Sequence, residues 1–243
     1  MPLVFAGEKR IFFAHVPKTG GTSVEDYLIE RFGNICMLNR RWSDQTRRSG
    51  NLRKGVGLIV PPQHLAAADL KELLPERIDY SFAVVRDPVK RMISEYNFHQ
   101  PGIGGMPISF SLWLRLVLGA CRRCPTVLEN HIRPQTDLTP EDCEIFRLED
   151  GFESLRLRLD DICGDTAPQI DFPHKLISEK RRAVTPSPSD LALIAVAYAA
   201  DYARFGYTTP DIAGAGPSLK DAGLNLLARL GAPAVVARYH RGN

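Results

Sequence analysis

Apolar residues along the chain fall into short continuous runs and into longer stretches with helical spacing. The runs IFFAHV at 11–16 and YSFAVV at 80–85 are typical of strands that are buried on both faces. CEIFRLED at 143–150 predicts a third strand, and GLIV at 57–60 predicts a further strand that ends before a Pro-Pro pair. The chain therefore carries several short predicted strands, separated by long intervals.

Helical spacing of apolar residues fills the intervals between these runs and continues after them. One predicted helix has a well-marked start, because Asp87 is a good N-cap and Pro88 suits the first helical position. Strands that alternate with helices indicate an α/β fold with a parallel sheet covered on both faces. The predicted helices are 22–32 (started by Thr22 or Ser23), 66–75, the segment from Pro88, 109–120, 152–161, 190–205 and, as one or two amphipathic turns, 217–238.

The composition is that of one globular domain. The 243 residues are 44% hydrophobic and 24% charged, and no internal repeat or linker divides them. A net charge of +3 is too small to favour nucleic acid as a partner. Basic residues cluster at 39–55 and 179–182, in the manner of solvated loops, with an anionic substrate at the rim of a site as the alternative.

The sequence predicts neither export nor membrane insertion. Its N-terminal residues lack the regions of a signal peptide, and no apolar run reaches about 18 residues. Five cysteines at irregular spacing suit a reducing compartment better than a disulfide framework. CRRC at 121–124 has the spacing of half a zinc site, but no second pair stands nearby. We therefore expect a cytoplasmic protein with no transmembrane segment and no metal.

The first candidate site is HVPKTGGTSV at 15–24, between a predicted strand and a predicted helix. Glycines let the backbone approach an oxyanion, a helix N-terminus attracts negative charge, and Lys18 adds a mobile positive charge. The Walker pattern places its Lys after the glycines, whereas here Lys18 precedes Gly20 and Gly21. The loop thus indicates an anion site that is not an ATPase loop, with an ordinary strand-to-helix turn as the alternative.

The second candidate site is VVRDPVKRMISEY at 84–96. Arg86 follows a buried strand at the edge of the sheet where open α/β proteins bind ligands. Ser94 lies about two turns along the next helix, so the two side chains could hold one phosphate, the Arg by a bidentate fork. The alternative is structural, with Arg86 in an ion pair and Arg91 paired with Glu95 at i+4.

Together, these motifs resemble those of the sulfotransferases that use 3′-phosphoadenosine 5′-phosphosulfate (PAPS), in particular the Golgi-type carbohydrate enzymes and their bacterial relatives. HVPKTGGTSV resembles the 5′-phosphosulfate loop of that family, and VRDPVKRMISEY resembles its 3′-phosphate motif. Further similarity in PQHLAAADL, NHIRPQTDL and DYARFGY extends the resemblance over roughly 5–207. It implies a sulfotransferase domain over 1–207, with 208–243 as a helical extension of unknown role. The implied fold is a three-layer α/β sandwich with a central parallel sheet, related to P-loop nucleotide kinases.

The resemblance also implies a reaction and a set of donor contacts. A sulfuryl group would pass without metal from PAPS to a hydroxyl of a saccharide or another metabolite, leaving adenosine 3′,5′-bisphosphate (PAP). Lys18 would stabilise the charge on the departing phosphate, and Arg86 and Ser94 would hold the 3′-phosphate. The residues that would cradle the 5′-phosphate are Lys18, Thr19, Gly20, Gly21, Thr22 and Ser23.

The acceptor hydroxyl needs a general base, and histidine titrates close to working pH. His64 lies between the two cofactor motifs, as does the catalytic histidine of the uronyl 2-O-sulfotransferases that the sequence resembles. Its alternative role is to cap the helix that follows. His131 and Arg133 would contact the acceptor, His15 is expected to be structural, and Glu25 to complement the dipole of its helix in the first turn.

Two other functions compete with sulfuryl transfer. An ATP-dependent small-molecule kinase would require a Walker Lys after the glycines and an Asp that binds magnesium, and the sequence offers neither at the expected place. A catalytically silent nucleotide-binding module would bind PAP without supporting turnover. Intact Lys18, His64, Arg86 and Ser94 favour the enzyme.

Overall fold

The computed structural model of the protein describes residues 2–33, 35–36, 60–70, 77–99, 102–103, 106–164, 167–172, 183–213, 216 and 218–241. The predicted strand at 57–60 falls outside these residues except for Val60, and the basic clusters at 39–55 and 179–182 also fall outside them.

Six strands are present in the described residues, and four of them form one sheet. The strands are β1 Leu3–Ala6, β2 Lys9–Ala14, β3 Tyr80–Val85, β4 Gly102–Ile103, β5 Met106–Pro107 and β6 Glu144–Arg147. The sheet order is β1-β2-β3-β6, in which β2 pairs with β3 and β3 with β6 in parallel, while β1 pairs with β2 antiparallel. The predicted α/β class with a largely parallel sheet is confirmed.

Most predicted helices are present and several have shifted bounds, while residues 71–75 of the predicted helix 66–75 lie outside the described residues. Ser109 is the N-cap of the helix Phe110–Arg123, and its side chain accepts a hydrogen bond from the backbone N–H of Leu112. The α-helices are α1 Gly21–Phe32, α2 Ala67–Leu70, α3 Pro88–His99, α4 Phe110–Arg123, α5 Gln135–Leu138, α6 Glu153–Cys163, α7 Pro188–Ala197, α8 Ala199–Phe205 and α9 Leu219–Arg241.

Alternating side chains of β2 and β3 enter two separate cores. Phe13 and Phe82 stack with their ring centroids 5.1 Å apart, in a core that α1 and α6 complete. Phe12 and Ala83 point to the other core, which contains Leu70 and other residues of 60–70. Apolar side chains thus pack on both faces of the sheet, and each fully buried one contributes about 1.5–3 kcal/mol. Both cores lie in the first of two compact units, which is formed by Met1–Arg86 and Gln135–Ile177.

The second unit, Asp87–Pro134 and Ser178–Asn243, contains α3, α4, α7, α8 and α9. Its buried ionic centre is Arg115 on α4, whose guanidinium lies 2.6 Å from Asp190 of α7 and 2.6 Å from Asp221 of α9. A cation buried with two carboxylates is costly to leave half-paired, so this contact fixes α9 to the rest of its unit.

Two helix predictions were wrong in detail. The segment 190–205 is divided at Tyr198, whose backbone leaves the helical region (φ −118°, ψ 28°), into α7 and α8. The buried hydroxyl of Tyr198 donates a hydrogen bond to the carbonyl of Ile132, at 2.8 Å. This tertiary contact outweighs the helix propensity of the segment. The expected terminal turns at 217–238 are instead one 23-residue helix, α9. Within the described residues, no helix combines the length and the apolar character needed to span a membrane.

Candidate active site

The loop after β2 has a backbone that is set by its own contacts. Lys18 adopts a left-handed conformation (φ 69°), which is uncommon for a residue with a side chain. The buried hydroxyl of Thr19 donates a hydrogen bond to the carbonyl of Val16, at 2.8 Å. Lys18 itself is half-buried at this turn. The Thr19 hydroxyl is therefore engaged in holding the loop.

Helix α1 begins directly after this loop, at Gly21. Gly20 is its N-cap, in a left-handed conformation (φ 84°), and no side chain caps the helix. The prediction that Thr22 or Ser23 starts the helix was therefore wrong by one or two residues, because glycine alone adopts this φ without strain. Thr22 is exposed and Ser23 half-buried in the first turn. An uncapped helix start of this kind leaves backbone N–H groups available to an anion.

A pair of buried ionisable side chains lies behind the loop. His15 Nδ1 is 2.7 Å from Glu25 Oε1, and both residues are buried. The His15 ring lies so close to Gly21 that a Cβ added there would be 2.1 Å from Nε2. His15 thus has a structural contact, as expected. Glu25 was misassigned to the first helical turn, since α1 starts at Gly21 and Glu25 faces the imidazole instead.

His64, the predicted base, lies in the same unit as the loop. It ends a 3-10 turn, Pro62–His64, and is buried. Its ring meets that of His15 edge-on, with centroids 5.2 Å apart. The ring of His15 therefore lies between His64 and Gly21, the first residue of α1.

Arg86 links the two sequence motifs. Its Nη1 donates a hydrogen bond to the carbonyl of Lys18, at 3.3 Å. Its backbone is held by Gln135, whose amide oxygen accepts from the Arg86 N–H at 2.9 Å and whose amide nitrogen donates to the Arg86 carbonyl at 2.8 Å. Sequence reasoning missed Gln135, although it stands within the segment NHIRPQTDL that carries part of the resemblance.

The remaining predicted site residues, Ser94, His131 and Arg133, belong to the second unit. Helix α3 starts as predicted at Pro88, and the Asp87 carboxylate accepts a hydrogen bond from the N–H of Lys90, at 2.9 Å. Ser94 is half-buried on this helix. The joint grip of Arg86 and Ser94 on one phosphate stays a prediction.

The segment 131–133 is fixed through all three of its carbonyls. The guanidinium of buried Arg91 donates to His131 O at 2.8 Å and to Arg133 O at 2.9 Å, while Tyr198 bonds the carbonyl between them. The suggested pairing of Arg91 with Glu95 is thus replaced by bonds to backbone. Immediately before this segment, three successive residues adopt left-handed conformations: Leu128, Glu129 and Asn130.

Glu95 is the centre of a cluster that sequence reasoning did not identify. Its fully buried carboxylate is 2.6 Å from His99 Nε2, and each of its oxygens is 3.0 Å from His131 Nδ1. Burial alone would raise the pKa of Glu95, but the two imidazoles outweigh that effect and hold the pKa well below its usual range. The i, i+4 spacing of Glu95 and His99 was visible in the sequence, whereas the approach of His131 requires the tertiary fold.

Comparison with known proteins gives one positive result. A family model described as "Sulfotransferase family" matches residues 1–208. Neither the curated proteins nor the solved structures include a match to this chain.

Proposed function

Because the chain belongs to the sulfotransferase family, we propose that it transfers a sulfuryl group from PAPS to a hydroxyl of a saccharide or another metabolite. The observation that carries this proposal is the hydrogen bond from Arg86 to the carbonyl of Lys18, since it joins the two motifs expected to hold the two ends of the donor. The proposal includes a three-layer sandwich fold of the P-loop kinase type, a domain over 1–207 with 208–243 as an extension, and a cytoplasmic location.

The loop residues suit the 5′ end of the donor. Gly20 and Gly21 are followed by a helix start without a side-chain cap, so N–H groups and the helix dipole favour an anion there. Lys18 contributes a positive charge, and Thr22 and Ser23 contribute hydroxyl donors in the first turn. Thr19 holds the loop through Val16. These groups form a donor set that fits a phosphosulfate.

Arg86 suits the 3′-phosphate, and its position is the best supported of the proposed contacts. Gln135 holds the backbone N–H and carbonyl of Arg86, and the bond from Nη1 to the carbonyl of Lys18 limits the freedom of the guanidinium. A fixed guanidinium fork loses little entropy when it binds a phosphate. Ser94 is proposed as its partner on the same phosphate.

The donor, when bound, supplies an electrophilic sulfur with a phosphate leaving group, and the side chains of this chain provide the rest. His64 accepts the proton of the acceptor hydroxyl as its oxygen forms the new bond to sulfur. The bond from sulfur to the bridging oxygen breaks, and Lys18 stabilises the negative charge that the departing phosphate gains. His131 and Arg133 orient the acceptor. Transfers of this kind pass through loose transition states, so positioning and charge stabilisation supply most of the catalysis.

Thermal unfolding in the presence of PAP, ADP and ATP–Mg²⁺, measured in parallel, tests this function. A ligand that binds only the folded protein stabilises it by about 2.7 kcal/mol at a hundredfold excess over Kd. A shift of the melting temperature with PAP and without metal supports the proposal. A shift with ATP–Mg²⁺ alone would favour the kinase, and PAP binding without sulfation of any acceptor would favour a silent nucleotide-binding module.

A further inference from the structure

Three side chains of the kinds that bind transition metals converge in the second unit. Glu95 and His99 lie one turn apart on α3, and His131 approaches them from the segment that follows the left-handed turn. One potential ligand atom from each residue lies within 4.8 Å of the other two. Two imidazole nitrogens and one carboxylate oxygen form a donor set that suits zinc and its neighbours in the first transition series.

The charge of the cluster favours a cation. The Glu95 carboxylate is completely buried, and in the described part of the chain its hydrogen bonds are to these two imidazoles. A buried carboxylate costs several kcal/mol unless a positive charge compensates it. A divalent ion would supply that charge while both imidazoles remain neutral.

An ion requires the side chains to separate by less than about 1 Å. Zinc bonds of about 2.0–2.2 Å place tetrahedral ligand atoms about 3.3 Å apart. The carboxylate-to-imidazole separations are 2.6 Å for His99 and 3.0 Å for His131, so these nitrogens would move away from the carboxylate by about 0.7 Å and about 0.3 Å. The His99 side chain is 30% exposed and leaves a path from solvent. Arg91 donates a hydrogen bond to the carbonyl of His131 and so fixes the backbone that carries this ligand.

We propose that Glu95, His99 and His131 form a binding site for a divalent transition-metal ion of the zinc class, with a fourth position open to water. The ion ties the segment 131–133 to α3 and so stabilises the second unit. The ion takes no part in the bond-making steps, which the proposed function assigns to Lys18 and His64, but it shares His131 with the proposed acceptor site.

Titration of the chelator-treated full chain with Co²⁺ and Zn²⁺ tests the site. We expect one Co²⁺ per chain, seen as visible absorption bands of a low-symmetry site, and displacement of Co²⁺ by Zn²⁺. Zn²⁺ should also raise the melting temperature. His99→Ala, at the exposed end of α3, should weaken binding by more than the 10–100-fold that loss of an outer-shell contact costs. Glu95→Gln keeps the shape of the side chain and should have the same effect.

His240→Ala is the matched control, because it removes a histidine from the terminal helix α9 and should leave metal affinity unchanged. The proposal is overturned if the wild-type chain develops no Co²⁺ bands, or if His99→Ala binds Co²⁺ as tightly as wild type. Either result would mean that protonated imidazoles, and not a metal ion, balance the charge of Glu95. Neither result bears on PAP binding, which the melting experiment with nucleotides measures independently.

Discussion

The guanidinium of Arg86 donates a hydrogen bond to the carbonyl of Lys18, although 68 positions separate the two residues. Each residue follows a strand of the parallel pair β2 and β3, so the carboxyl ends of neighbouring strands bring them to one edge of the sheet. The contact also joins a positive side chain to a loop whose backbone is in a left-handed conformation. A substitution at either residue should therefore alter the position of the other.

Replacement of Lys18 by Ala should reduce sulfuryl transfer by at least about 10²–10³-fold, since a well-placed charge on the leaving group is lost. The fold should persist, as judged by the melting temperature. Lys18→Gly is the matched variant, because glycine accepts the positive φ of this position. If the glycine variant retained activity, the side chain of Lys18 would have no role in the reaction.

Arg86→Ala should weaken binding of PAP much more than binding of adenosine 5′-phosphosulfate, because only PAP carries a 3′-phosphate. Isothermal titration with both nucleotides measures the difference. Gln135→Ala removes the clamp on the Arg86 backbone and should weaken PAP binding to a smaller extent, with a loss of stability of about 1–3 kcal/mol. Equal losses for both nucleotides would contradict the assignment of Arg86 to the 3′-phosphate.

His64→Ala should lower turnover by about 10²–10⁴-fold while PAP affinity stays nearly unchanged, as expected for loss of a general base. Single-turnover kinetics and PAP titration, made on the same preparation, separate the two effects. His64→Gln controls for the loss of packing at this buried position. Turnover that survives both changes would require another base, such as His131.

Gly21→Ala should destabilise the protein by about 1–3 kcal/mol through overpacking. The new Cβ would lie 2.1 Å from His15 Nε2, so the imidazole must shift and its contact with Glu25 is disturbed. Gly223→Ala is the control: a Cβ at this helical position in α9 meets no atom within 4 Å, and alanine should stabilise the helix by about 0.5–1 kcal/mol. Urea denaturation of both variants gives the comparison, and equal stabilities would contradict the close packing.

Asp190→Asn should destabilise the protein by about 3 kcal/mol at neutral pH, because buried Arg115 loses the buried one of its two carboxylate partners. Burial alone would raise the pKa of Asp190, but hydrogen bonds from Ser111, Arg115 and Ser187 lower it below its usual value. A lowered pKa contributes stability above the unfolded value of about 3.9, and the contribution disappears as pH falls through the folded value. The difference in unfolding free energy between wild type and variant should therefore shrink below about pH 4. A difference that grew in acid would contradict this pairing.

The sequence was most informative where local signals agreed with tertiary packing. The strand at 80–85 was predicted with its observed bounds because six consecutive residues suit a buried strand, and Asp87 with Pro88 marked the start of α3. Strand β1 was missed. Its hairpin to β2 turns at Gly7 and Glu8, with Gly7 at φ 60°, and a glycine between two apolar runs could have revealed it.

Contacts between distant segments could not be predicted from local patterns. The sequence indicated that Arg86 and Lys18 belong to ligand-binding motifs, but the clamp formed by Gln135 depends on how α5 meets the end of β3. The break at Tyr198 and the convergence of His131 on Glu95 likewise arise from packing between segments far apart in the chain. The sequence therefore predicted which residues would bind ligands, but not the contacts that hold those residues in place.

The left-handed turn at Leu128, Glu129 and Asn130 also limits which substitutions the chain can accept before His131. A non-glycine residue costs about 1–2 kcal/mol in this conformation, and β-branched side chains are the least compatible with it. Variation in size or charge at Leu128 and Glu129 is therefore easier to accommodate than a change to Val, Ile or Thr. Among related sequences, we therefore expect polar and apolar residues to interchange at these positions more often than β-branched residues appear there.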